Sequence, residues 1–203
     1  MSPSVTWYHG FEIDGIAYPM RHQLSDRAKN EPVLNERVLG LTKELSRTSC
    51  AVHELAHALL WISSGIHVIR VGVGVGPGGQ AECGRVAADK RLGWAIAIAA
   101  GERAQDRWLR EAGLWTEDLA AMAELGARSD RALIFAADPD PRPGFGDGGP
   151  DYADLHALAD QALDAHWSTI RAALPVLVDS GQMTGDELAS TVGLPNGTVS
   201  LTA

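Results

Sequence analysis

Cysteine is scarce in this sequence. The 203 residues include only Cys50 and Cys83, too few for a disulfide framework, and reduced thiols in a cytoplasmic protein are the expectation. Positive charge is also in short supply. Lys and Arg total 17 against 26 Asp and Glu, and a net charge of -9 lacks the basic footprint of a nucleic-acid binder. Long apolar runs are missing. The longest, LGWAIAIAAG at 92–101, is too short to span a bilayer, and MSPSVTWYHGFEIDG lacks the basic and apolar regions of a signal peptide. A soluble protein without membrane or nucleic-acid partners is therefore expected. What is present, 45% hydrophobic and 21% charged residues, suffices for one domain with a real core.

The patterning predicts a mainly α protein with a small β-hairpin. Residues 1–30 read as an N-terminal extension with room for a hairpin, since EIDGIAY carries an Asp-Gly turn signal. The main body runs from 31 to 192. Val38, Leu41, Leu45, Val52, Leu55, Leu59 and Ile62 recur at helical intervals, and Gly65 suits a helix C-terminus. Strands are predicted near 66–75 and 80–86, then a helix over 88–111 whose first half is buried and whose second half, ERAQDRWLRE, is exposed. Thr116 suits an N-cap, with Gly126 interrupting the helix it opens. The Pro/Gly/Asp stretch at 138–151 reads as a flexible loop. A long helix follows, strained or ended near Pro175, and Thr184 with Glu187 forms a capping-box pattern. Residues 193–203 are expected to fray.

One short motif carries chemistry. CAVHELAHALLW, residues 50–61, places His53 and His57 four apart on a predicted helix, so both imidazoles face one side and can share one ion. Glu54, next to the first histidine, is suited to act as general base on a water activated by zinc. The motif is too short to decide the matter and needs a third ligand. The downstream acids Glu82, Glu102, Asp106, Glu111, Glu117, Asp118, Glu124 and Asp130 are all candidates, and spacing does not choose among them. Cys50 is better read as a helix-packed thiol, and His67 as a surface or strand-face histidine, than as ligands. VGVGVGPGG contains G-x-G-x-x-G but leads into more strand, not a helix N-terminus, so it is not a nucleotide loop. An edge strand and turn able to hold an extended peptide is the better reading.

HELAHALLW, IHVIRVGVGVGPGGQAECG, AAGERAQD, GARSDRALIFA and GQMTGDEL follow one another in an order that resembles the peptidase domain of FtsH-type ATP-dependent zinc proteases. The likeness spans most of 45–190. It implies an FtsH-type, mainly helical fold with zinc on His53, His57 and Asp130 and with Glu54 as base. The 73 residues from His57 to Asp130 suit that family. It also implies a peptide or protein substrate and a homo-oligomer. No P-loop accompanies the motif, so the expected activity is ATP-independent hydrolysis of flexible peptides or of a dedicated precursor. Ala56 replaces the family's Gly, giving the HELAH form shared with ImmA/IrrE-type regulatory metallopeptidases. Gln105 replaces the first acid of the family's A-E-E pattern, and residues 1–40 match no part of it. A repressor-cleaving regulatory metallopeptidase and a non-catalytic zinc-containing binding module are the alternatives.

Overall fold

The structure, a computed structural model, describes residues 8–13, 16–30, 41–74, 78–137 and 151–198. The Asp14-Gly15 turn, the helical onset at 31–40 and the Pro/Gly/Asp stretch at 138–150 lie outside the described residues. Within them the chain is mainly helical, with a small three-stranded antiparallel sheet and a separate N-terminal hairpin. No helix among the described residues is long and apolar enough to cross a membrane.

The hairpin pairs β1 (Tyr8–Ile13) with β2 (Ile16–Met20), and a short α1 (Asp26–Asn30) follows. The body is organised around α2 (Lys43–Ser63). Thr42 caps it, its hydroxyl accepting from Leu45 N, and Gly65 ends it at φ 69°, a left-handed conformation that glycine adopts without steric cost. Every residue from Ser49 to Ile62 is buried, because α2 packs between α3 (Arg91–Glu111), α6 (Tyr152–Ser180) and the sheet. The central part of α3 is rich in small buried residues, including Ala97, Ala100, Gly101 and Ala104, which lets the two helices approach closely.

The sheet runs β4 (Gly79–Cys83), β3 (Val68–Val73), β5 (Gln182–Thr184), so β4 is an edge strand. Between the sheet's strands in sequence lie α3, α4 (Glu117–Gly126), α5 (Arg128–Ala137) and α6; α7 (Gly185–Val192) closes the chain. Thr116 caps α4, the break between α4 and α5 falls just after Gly126, and Thr184 with Glu187 forms the capping box of α7.

Three expectations meet different outcomes. Helix α6 runs straight through Pro175 to Ser180. One lost backbone bond and its steric cost of about 3 kcal/mol are offset by a buried face that continues on both sides, through Ile170, Ala173 and Leu177. The second half of α3 is not an exposed half: Glu102, Arg103 and Asp106 are buried because each has charged partners. The tail is tied down as far as it is described. Asn196 exchanges hydrogen bonds with the Val68 backbone at 2.9 and 3.0 Å, and Thr198 bridges to Ile66.

Candidate metal centre

Helix periodicity brings His53 and His57 to one face of α2, in its buried middle. Opposite them α3 presents Ala97, Gly101 and Gln105, also at intervals of four. The ring of His57 donates from Nδ1 to the Ala97 carbonyl (2.8 Å), and that of His53 donates from Nδ1 to Gln105 Oε1 (2.9 Å). Gln105 Nε2 in turn donates to Ser49 Oγ (3.1 Å), which fixes the amide with its oxygen towards His53. Neither acceptor can donate, so each imidazole carries its proton on Nδ1 and turns the Nε2 lone pair inward.

Asp130, at the start of α5, meets those lone pairs. Its Oδ2 lies 2.9 Å from His53 Nε2 and 3.5 Å from His57 Nε2, and His57 Nε2 is buried without a hydrogen-bond partner. Lone pairs facing a carboxylate repel unless a cation or a proton lies between them. Around a tetrahedral zinc with bonds near ~2.05 Å, donor atoms sit roughly 3.3 Å apart, and the two observed separations bracket that value. Among the described residues these three form the one His/Cys/Asp/Glu group whose ligand atoms all lie within 4.8 Å of one another. The donor set fits a divalent cation.

Without a cation a proton takes its place. Burial by itself would lower the His53 pKa, but the Asp130 carboxylate outweighs it and raises the value from 6.5 to about 9. Burial likewise pushes Asp130 up, and the facing imidazoles of His57 and His53 more than reverse this, holding it well below the carboxylate range. A raised histidine pKa contributes stability that is complete below pH 6.5 and lost as pH rises through about 9. The chelator-treated protein should therefore lose thermal stability over that interval, while saturating zinc abolishes the decline. A melting temperature independent of pH there would contradict the contact.

Gly101 is the position on α3 that permits the approach. A Cβ there would lie 2.5 Å from His57 Cε1 and 2.6 Å from His53 Nε2, with no flexible side-chain end able to give way. Gly101→Ala is expected to weaken metal binding by at least about tenfold, the scale of losses around metal ligands, while α3 itself gains helix propensity. Zinc titration against a chromophoric chelator checks this; unchanged affinity would refute the close approach.

The other candidate acids are engaged elsewhere. Glu82 pairs with Arg70, and Glu102 and Glu124 both receive Arg131. Asp106 accepts from Arg110 and Trp115, Glu111 accepts from Trp167, and Glu117 and Asp118 bind the backbone of Gln23 and Ser25. His67 donates to the Gly197 carbonyl, away from the cluster.

Glu54 leaves α2 on a neighbouring face, towards β4. A Cβ on Gly79 would lie 2.6 Å from Glu54 Cγ and 2.7 Å from Cys50 Sγ, so the edge strand passes directly over both. Glu54, the two histidines and Asp130 line one cleft of about 640 Å³. Gly79 and Gln80 form one wall, and Met122, Gly126 and Leu133 form another. The Cys50 thiol shares the cleft, but burial and the neighbouring Glu54 push its pKa up to about 12, so it stays protonated and is a poor ligand. Both cysteines are free.

The sequence reading missed Gln105 and Gly101 as neighbours of the histidines. The signal was a small–small–polar stripe at 97, 101 and 105, legible only once α3 is known to face α2. No protein-family model matches the chain, and no curated protein matches it either.

Proposed function

We propose that this chain is a zinc-dependent metalloendopeptidase that hydrolyses flexible peptides or a dedicated protein substrate without ATP, in an FtsH-type peptidase fold. The observation that carries this reading is the meeting of His53, His57 and Asp130 around two inward-facing Nε2 lone pairs, with Glu54 beside them in the same open cleft. Two imidazoles and a carboxylate are the donor set of a catalytic zinc, which keeps a fourth position for water or substrate. When bound, zinc polarises the scissile carbonyl and lowers the pKa of water.

The chain's residues supply the rest. Gln105 and Ala97 hold the two ligand rings in the required tautomer. Glu54 takes a proton from the attacking water and returns it to the nitrogen of the departing amine as the C–N bond breaks. Edge strand β4 offers main-chain groups on the side left unpaired among the described residues, where an extended peptide can add as a further strand and bring an amide over the cleft. The bare Gly79 lets β4 lie directly over Glu54, so a peptide added to its edge would run close to the base.

The test is incubation of the zinc-loaded protein with a library of unstructured peptides, with products read by mass spectrometry. Cleavage that a chelator removes and zinc restores supports the proposal. Stoichiometric zinc without cleavage of any peptide would leave a metal-containing binding module in its place.

A further inference from the structure

Arg131 follows Asp130 on α5 and is 1% exposed. Its guanidinium donates to Glu102 Oε2 on α3 from Nε (3.0 Å) and Nη2 (2.6 Å), and from Nη2 to Glu124 Oε2 on α4 (3.2 Å). Its Nη1 donates to the carbonyl of Pro19, near the end of β2. The residues after Pro19 bind the same Glu124. Arg21 N donates to Oε2 (2.8 Å), and His22 Nδ1 lies 2.5 Å from Oε1. Ser25 N and Oγ then bind the Asp118 carboxylate in the first turn of α4 (2.6 and 2.8 Å). The N-terminal segment is thereby tied both to α4 and to the residue adjoining Asp130.

We infer that residues 19–22, acting through Glu124 and Arg131, position Asp130 for metal binding. This rests on the metal-site reading above. The reason is leverage. A side chain reaches about 5–6 Å from its helix axis, so a 20° roll of α5 would move the Asp130 carboxylate by about 2 Å. Metal–ligand bonds tolerate only about ±0.2 Å. Arg131, one residue further along the same turn and anchored to α3, α4 and β2, resists that roll. The extension that lies outside the family resemblance thus completes the site. Arg131 and Glu124 act through Asp130 and are positioning residues, not catalytic ones.

Arg131→Met alone risks unfolding, so the test uses Glu124→Gln and Arg131→Lys in the full chain. Zinc affinity is measured by competition with a chromophoric chelator, beside far-UV circular dichroism. Both variants are expected to keep the fold and to bind zinc about tenfold or more weakly, the scale of outer-shell losses. In an Asp130→Ala background Glu124→Gln should change affinity by less than about twofold, because nothing remains to position. An unchanged affinity in the first experiment, or an equal loss in the second, overturns the inference while leaving the metal site standing. A wild-type protein that binds no zinc overturns the metal site and this inference together.

Discussion

Glu54→Gln is expected to lower the rate of peptide cleavage by about 10²–10⁴-fold, the range contributed by a positioned general base, with zinc content and fold unchanged. Glutamine has nearly the same shape and fills the same space beneath Gly79, but its amide cannot accept and carry a proton at neutral pH. The separation of roles follows from the geometry. Glu54 adjoins His53 in sequence, yet its side chain leaves α2 towards β4, where it lines the cleft beneath Gly79, while Nε2 of both histidines faces Asp130. Removing its charge therefore leaves the ligand set intact. Single-turnover cleavage of a fluorogenic peptide, alongside metal analysis, distinguishes the cases. Full activity would place the base elsewhere, and loss of zinc would mean that Glu54 holds the ion.

Arg131→Met is expected to destabilise the fold by about 3–5 kcal/mol, the scale for removing one partner of a buried ion pair. The cost lies in what is left behind. Glu102 and Glu124 are 2% and 4% exposed, and both carboxylates rely on the same guanidinium. Burial pushes Glu102 up, and Arg131 together with His156 holds it well below its usual range; Tyr152 also donates to it at 2.8 Å. Without Arg131 the burial penalty dominates. The loss should shrink at acid pH, where Glu102 can enter the folded state neutral. Urea denaturation at neutral and acid pH measures both effects, and a neutral-pH loss below about 1 kcal/mol would show that the group is not the hub of the network.

Local chemistry was legible in the sequence. HELAH falls on a helix because apolar residues recur around it at helical intervals, and Thr116, Gly126, Thr184 and Glu187 mark helix ends through interactions a few residues long. The two strands flanking the glycine-rich turn were visible for the same reason. The contacts that build the site around the histidines are not local. Gln105 reaches His53 from 52 residues away, and Arg131 reaches Pro19 from 112. No periodicity encodes such pairings. ERAQDRWLRE looked exposed because charge usually means solvent, whereas Glu102, Arg103 and Asp106 are buried with partners on other helices or on their own. Pro175 looked like a stop because its cost is local and the packing that offsets it comes from the rest of the core. Asp130 was one acid among eight by spacing and was singled out only by resemblance. Its place beside both Nε2 atoms depends on how α5 sits on α3 and α4.

The most direct measurement is zinc affinity and stoichiometry for the purified wild type and Asp130→Ala, at neutral pH and with a competing chelator. The expected result is one zinc per wild-type chain and an affinity reduced by at least about 100-fold in the variant, beyond the loss from an outer-shell change, because a direct ligand is gone. Equal affinity in the two proteins, or no bound zinc in the wild type, would contradict the centre formed by His53, His57 and Asp130.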